Sequence, residues 1–281
     1  MMHFTLGGGA AGKSKAAHAR SASEPCHCQC HHVHTRLDAG IRSLGAWSAS
    51  ATCSGVNDGP SGLARVDAVL AVLGEFLALP QAAAALREDA AAYDRILDGS
   101  LALADAYGSF EPALLALKQS AAELRAGVRR GDGAMVAESL RARKRAEKEL
   151  CHLAAAMGHA SRHAFPSPAD GEVIGVVAEV AAATASASEA IFLRCAAMSP
   201  DVSAVAHTVS SNAWLTRLRV VSAAKKAVPL PLPETATATV AAALEGLERR
   251  IGEVESWSEK VFRSLLHTRV SLLNIHNTPT L

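Results

Sequence analysis

Apolar residues recur at a regular spacing over the last fifth of the chain. The steps between them alternate four and three residues, and only Ser258 and Thr268 interrupt the series. The apolar positions are Val240, Leu244, Leu247, Ile251, Val254, Val261, Leu265, Leu272 and Ile275. This heptad spacing predicts one long helix with a buried stripe, about 53 Å long at ~1.5 Å per residue. Such a helix needs long partner helices, and we expect them within the same chain.

The preceding part of the chain, from Leu63 onward, shows helical spacing as well. It predicts a helix that ends at Pro80, a helix over about 81–107, a break at Gly108 and Ser109, and a helix that ends at the turn of residues 131–133. Further helices are predicted over about 135–163, 169–197 and 199–227, before a connector that contains Pro229, Pro231 and Pro233. No segment alternates with period two. The predicted fold is therefore all-α, an elongated bundle of long antiparallel helices.

Residues 1–60 are rich in Gly, Ser, Ala and His and show no sustained period. They predict a disordered N-terminal tail, which leaves residues 61–281 as a single helical-bundle domain. Lys13, Lys15 and Arg20 precede the first acidic residue, Glu24. A plastid or mitochondrial transit peptide is an alternative interpretation of this start, and a basic flexible tail is the preferred one.

The composition agrees with packed helices. Hydrophobic residues make up 49% of the chain and aromatic residues only 4%, so alanine supplies much of the apolar content. The formal net charge of +1 provides no overall field for nucleic acid, and we expect no nucleic-acid partner. The most apolar stretch, residues 173–195, contains Glu179, Glu189 and Arg194, which favours a packed helix over a membrane span.

Two candidate chemical motifs lie near the N-terminus, and the first resembles a phosphate-binding loop. Residues 7–14 read GGGAAGKS and match that loop literally. Only six residues precede Gly7, and the sequence predicts no parallel sheet that would present the loop. The motif is better explained as a low-complexity match, and we expect no nucleotide cofactor.

A run of thiol and imidazole side chains follows. Its candidate metal ligands are Cys26, Cys28, Cys30, His31, His32 and His34. These types suit zinc or copper(I), but structural zinc sites bring two pairs of ligands together across a folded loop. We predict no functional metal site here. The six cysteines are not arranged as a disulfide framework, which favours a reducing compartment.

A basic run lies within the helix predicted over residues 135–163. It consists of Arg141, Arg143, Lys144, Arg145 and Lys148. The run resembles a nuclear-localisation or phosphate-binding patch, but glutamates are interleaved with it. A solvated helix face is therefore the preferred interpretation.

Four stretches of the sequence are together similar to one known family. They are residues 18–25 (HARSASEP), 76–81 (FLALPQ), 97–105 (LDGSLALAD) and 261–275 (VFRSLLHTRVSLLNI). With them the chain resembles the plant-specific Bypass-type family. The signature positions are Leu97, Asp98, Gly99, Ser100, Phe262, Arg263, Thr268, Arg269, Val270, Ser271, Leu272, Leu273 and Asn274. The resemblance implies an all-helical intracellular protein of unknown molecular activity, linked to root and shoot development and without catalytic residues.

These observations support three hypotheses about function. The first is a non-enzymatic regulatory or scaffold protein with an unknown protein partner, contacted through the face that carries Phe262, Leu266, Val270 and Leu273. Burial in the core is nevertheless the preferred role for those four side chains. The second is a peripheral membrane protein that uses the same helix, and the third is a nucleotide switch. We expect a cytoplasmic location, with the plastid as the alternative, and the sequence leaves the oligomeric state open.

Overall fold

A computed structural model describes residues 24–50, 59–163, 171–198 and 234–277. This part of the chain forms seven helices and contains no strand. They are α1 (Glu24–Ser50), α2 (Gly59–Leu77), α3 (Pro80–Glu88), α4 (Ala90–Arg130), α5 (Gly133–His163), α6 (Glu172–Ala196) and α7 (Glu234–Asn277). The all-α prediction is confirmed. The predicted 199–227 helix and the proline connector lie outside the described residues.

Helix α7 confirms the long helix predicted from the heptad spacing. All nine apolar stripe residues are buried, and the most accessible, Ile275, is only 6% exposed. The two interruptions, Ser258 and Thr268, are buried in the same stripe. The Thr268 hydroxyl donates a hydrogen bond to the carbonyl oxygen of Ser264 at 2.9 Å, so burying this polar group leaves it satisfied.

Helices α4 and α7 form a long antiparallel pair. Near the end of α4, Arg125 contacts Glu248 at 3.0 Å, and in the middle Lys118 contacts Glu255 at 2.6 Å. Near its start, the Tyr93 hydroxyl donates to the Leu272 carbonyl oxygen at 3.0 Å. Ascending positions on α4 therefore meet descending positions on α7, and the stripe finds its partners inside the chain.

Two predicted boundaries around α4 are wrong. The chain divides at Asp89, whose side chain accepts a hydrogen bond from the Ala92 amide at 2.9 Å and caps α4. Helix α4 then continues through Gly108 and Pro112, where a break was predicted. Phe110 is completely buried beside the proline, so tertiary packing outweighs the local helix-breaking tendency. The predicted turn after α4 is confirmed, with Gly131 in the left-handed conformation at φ 67°.

The prediction that residues 1–60 form a disordered tail is wrong for helix α1. Residues 24–50 form a helix, and four of its apolar side chains are buried in the bundle. They are Val33, Leu37, Leu44 and Trp47. Their spacing of four, seven and three residues is helical, but the surrounding Gly, Ser and His composition masks it. The bundle thus includes this segment, while residues 1–23 and 51–58 lie outside the described residues.

Helices α1 and α2 pair antiparallel at close range. A Cβ added at Gly40 would lie 2.7 Å from Cγ2 of Val69, and one added at Gly62 would overlap the indole ring of Trp47. Glycine at both positions is what allows the two backbones to approach. The same indole ring contacts α6, because the guanidinium carbon of Arg194 lies 3.9 Å from the ring centroid.

Helix α6 confirms the packed helix predicted for the most apolar stretch. It is long and apolar enough to cross a membrane, and it is the single described helix with that property; the bent α2–α3 pair would also qualify if counted as one span. Within its most apolar window, 56% of the residues are buried inside the bundle. Its Phe192 stacks on Phe110 of α4 with ring centroids 4.3 Å apart.

Candidate docking surface

Large apolar side chains that remain exposed mark the candidate site. Among the described residues they are Leu101, Leu115, Leu193, Leu266, Val270 and Leu273. Four of the six belong to the end of the α4–α7 pair where α4 begins and α7 ends. Scattered exposed apolar residues are ordinary, but a group of them on one pair of helices suggests a contact site.

The helical spacing of α7 brings these side chains together. Phe262, Leu266 and Leu273 lie four and seven residues apart and therefore share a face, with Val270 beside them. Leu101 of α4 joins them across a shallow cleft of about 430 Å³ that Phe262 and Leu266 also line. We call Leu101, Phe262, Leu266, Val270 and Leu273 the α4/α7 surface.

The α7 part of this surface overturns the preference for core burial. Leu266 is 41% exposed, Val270 52% and Leu273 37%, and Phe262 is half-buried. The buried stripe explains the difference. The neighbouring Val261, Leu265 and Leu272 already fill the space between the helices, so the adjacent face is left toward solvent.

Charged side chains border the α4/α7 surface on the α4 side. Asp98, Leu101 and Asp105 lie on one face of α4, and Asp94 extends the row by another turn. All three carboxylates are exposed, and Asp105 lines the cleft. The cleft also contains Arg269, whose Nη1 atom lies 3.5 Å from the Leu97 carbonyl oxygen.

Side chains from α3 and α4 hold the end of α7 in place. Nε of Arg87 donates to the Ile275 carbonyl oxygen at 2.8 Å, one of the carbonyl groups that a helix end leaves without an intrahelical partner. Tyr93 bonds the Leu272 carbonyl oxygen, and its ring stacks on His276 with centroids 5.2 Å apart. Burial, and then the nearby Asp94, raise the pKa of Tyr93, so its hydroxyl remains a donor to a higher pH than that of a free tyrosine. The surface is therefore built on anchored helices.

Two of the four stretches that resemble the family meet at this place. Leu97–Ser100 belong to α4 and residues 262–274 to α7, and the Arg269–Leu97 contact joins them. Phe262, Val270 and Leu273 contribute to the surface, whereas Thr268 and Leu272 are buried behind it. Sequence reasoning missed Leu101 and Asp105, although both fall within the LDGSLALAD stretch, because their relation to α7 depends on the antiparallel register.

The candidate metal ligands fall only partly within the description. His31 and His32 are exposed, and Nδ1 of His34 lies 3.5 Å from Oδ2 of Asp38. Cys26, Cys28 and Cys30 lie within helix α1, but their side chains are outside the described part of the structure, as is the whole GGGAAGKS segment. Within the described side chains, no group of three His, Cys, Asp or Glu could hold a metal ion.

Two titratable groups of the core, Cys195 and Tyr107, are held in their neutral forms. Burial raises the pKa of Cys195 to about 12, so its thiol is protonated and a poor nucleophile near neutral pH. Burial also raises the pKa of Tyr107, although a hydrogen bond with Ser188 at 3.1 Å opposes the shift. Ser188 in turn donates to the Thr184 carbonyl oxygen at 2.8 Å. These hydroxyl groups are thus hydrogen-bonded within the core.

The basic run on α5 is compensated by neighbouring glutamates. Arg141 and Arg145 contact Glu138 at 2.9 and 3.2 Å, and Arg143 contacts Glu147 at 2.6 Å. Arg141 and Arg145 are exposed and agree with the interpretation of a solvated helix face. Arg143 differs, because its side chain is only 12% exposed and also donates to the Met198 carbonyl oxygen. These contacts leave the α4/α7 surface as the stronger candidate.

Comparison with known proteins identifies the family. The family described as Protein BPS1 matches residues 62–275, which is more than half of the chain. The chain belongs to the BPS1 family. The match includes α4 and nearly all of α7, and hence the whole α4/α7 surface. No curated protein and no solved structure matches the chain. BPS1 membership confirms the resemblance seen in the sequence and fits a plant development-related protein of unknown activity, in a family that is not a known enzyme family.

Proposed function

We propose that this BPS1 family protein acts without catalysis, as an intracellular regulatory or scaffold protein in root and shoot development. Its action is to hold a partner protein on the α4/α7 surface. The observation that carries the proposal is the exposure of Leu266, Val270 and Leu273 on a helix whose neighbouring face is completely buried. An anchored, partly apolar surface of this kind is typical of protein contacts.

The shape of the surface favours a helical partner. From Phe262 to Leu273 it extends over about 16 Å at ~1.5 Å per residue, or three helical turns. An amphipathic helix that lies along a groove uses apolar anchors at i, i+4 and i+7, and three turns supply that set. The anchored end of α7 limits the cost of ordering the surface when the partner binds.

Proximity labelling in plant tissue tests the proposal. Wild-type protein is compared with Leu266→Asp, which introduces a charge at a position that is 41% exposed and thus leaves the core intact. The matched control is Leu193→Asp on α6, at a position 47% exposed and outside the surface. We expect the partner to be labelled by the wild-type protein and by the control, but not by Leu266→Asp. An unchanged set of labelled proteins for Leu266→Asp would refute the surface.

A point substitution is preferable to truncation of the chain end. Removing residues 261–281 would also delete Val261, Leu265 and Leu272, which are buried in the stripe. The truncated chain would lose stability whether or not it had a partner. Leu266→Asp separates the two effects, and its melting temperature verifies that the fold is retained.

We place this function in the cytoplasm, with the plastid as the alternative. The cysteine pattern supports a reducing compartment, since the six cysteines are not spaced as a disulfide framework. Fluorescent fusions at the C-terminus, which leave the N-terminal segment free, distinguish the two locations. Import into plastids with loss of the N-terminal segment would overturn the cytoplasmic assignment.

A further inference from the structure

The charge around the α4/α7 surface is unevenly distributed. On the α4 side stand the exposed carboxylates of Asp94, Asp98 and Asp105. On the α7 side, Arg263 is already paired with Glu259 at 3.0 Å. Arg269 is the one arginine that lines the cleft itself. The three carboxylates outnumber Arg269 and the exposed Arg95 of α4, so the border of the apolar surface is net negative.

The apolar area argues against a second copy of the chain as the occupant. Leu101, Leu266, Val270 and Leu273 are between 37% and 52% exposed. Together they offer on the order of 300 Å² of apolar surface. A standard stable interface buries about 800 Å² per partner, of which roughly 450 Å² is apolar. An area of this size suits one helix of a partner, assisted by charge at its border.

We propose that the partner of the α4/α7 surface is an amphipathic helix with basic flanks. Its apolar anchors contact Leu101, Phe262 and Leu266, and its lysine or arginine side chains lie opposite Asp98 and Asp105. This inference rests on the proposed function, because a basic flank has a role only if the surface binds a partner. Opposite charges at the border of an apolar contact set the on-rate and the specificity more than the affinity.

Two synthetic helical peptides serve as probes of this charge preference. Both carry leucine at positions i, i+4, i+7 and i+11 on an alanine background, and they differ only in flanks of lysine or of glutamate. Their binding to the full chain is measured by fluorescence anisotropy at low ionic strength, after circular dichroism has shown equal helicity. We expect the lysine peptide to bind about fivefold tighter or more, with a preference that shrinks as salt is added.

Variants of the full chain identify the residues responsible. Asp98→Lys combined with Asp105→Lys should reverse the preference, so that the glutamate peptide binds tighter. Leu266→Asp should weaken both peptides by about tenfold or more, because it places a charge in the apolar centre. Leu193→Asp should leave both affinities unchanged.

Other outcomes overturn the basic partner in recognisable ways. Equal binding of the two peptides, with both lost in Leu266→Asp, removes the charge preference but leaves the surface of the proposed function in place. Binding of neither peptide overturns the helix. A dimer in sedimentation that Leu266→Asp dissociates would make a second copy the occupant. Flotation with anionic vesicles that Leu266→Asp abolishes would make lipid the occupant of the surface. The acidic border predicts that no such flotation occurs.

Discussion

Two antiparallel helix pairs in this bundle differ in how closely their backbones approach. The α4–α7 pair buries a stripe of large side chains and ties its flanks with ion pairs such as Lys118–Glu255. The α1–α2 pair also buries large side chains and has an ion pair, Arg36–Glu75, but it adds a close backbone approach at Gly40 and Gly62. The long heptad stripe of the first pair is evident in the sequence, whereas the glycine contacts of the second are easily overlooked.

The largest expected loss of stability comes from the buried stripe of α7, which the α1–α2 pair lacks. Ile251 is completely buried in α7. Ile251→Ala should lower the free energy of unfolding by about 2–5 kcal/mol, because it removes buried methylene groups and leaves a cavity. Chemical denaturation measures the change. Leu115→Ala on α4, at a position 53% exposed, is the control and should lie within about 0.5 kcal/mol of wild type.

The second prediction concerns the close approach of α1 and α2. In Gly62→Ala the new methyl group overlaps the Trp47 ring, so we expect a loss of about 1–3 kcal/mol and a shift of the Trp47 fluorescence. Gly74→Ala on the same helix meets nothing within 4 Å and should be neutral or stabilising by about 0.5–1 kcal/mol. Equal stability of the two variants would show that α1 is not packed against α2 at this glycine.

A third, smaller effect is expected at the anchored end of α7. Tyr93→Phe removes the hydroxyl that donates to the Leu272 carbonyl oxygen and retains the ring beside His276. The stability should fall by about 0.5–1.5 kcal/mol. Hydrogen exchange should become faster in the last turns of α7 and stay unchanged around Ile251. Faster exchange along the entire helix would contradict a local anchoring role.

The smallest effect is expected at the flank of the α4–α7 pair. Lys118 and Glu255 are 39% and 31% exposed, so solvent screens their contact. A double-mutant cycle with Lys118→Ala and Glu255→Ala should give a coupling of about 0.2–1 kcal/mol that decreases with added salt. A coupling above about 2 kcal/mol would show that the ion pair makes a major contribution to the stability of the α4–α7 pair, contrary to this account.

The parts of the fold that could be predicted are those that a clear local pattern encodes. The heptad spacing of α7 and the Gly131 turn could be predicted because each depends on local pattern. Helix α1 was missed because its Gly, Ser and His composition masks the helical spacing of its four buried side chains, and because its contacts with α2 and α6 also involve glycines and the Trp47–Arg194 contact. The predicted break at Gly108 failed because the burial of Phe110 depends on α6.

The candidate site was predictable in its residues and not in its exposure. Periodicity singled out Phe262, Leu266, Val270 and Leu273 as a widening of the stripe. Whether they are covered depends on which helix lies beside them, and that requires the three-dimensional arrangement. The acidic row on α4 gains its meaning only from the register that sets Asp105 beside Leu266 in one cleft.

The central claim is that α7 uses one face for the bundle and the adjacent face for a partner. Two consecutive leucines test it, because Leu265 is 2% exposed and Leu266 is 41% exposed. The measurement is the thermal unfolding of Leu265→Asp and Leu266→Asp in the full chain. We predict that Leu265→Asp loses its cooperative transition, since a buried unpaired charge costs several kcal/mol. Leu266→Asp should keep its cooperative transition and lose only about 1–2 kcal/mol, from the weaker helix propensity of Asp and the half-buried leucine. An equal loss of stability in both variants would contradict a free α4/α7 surface.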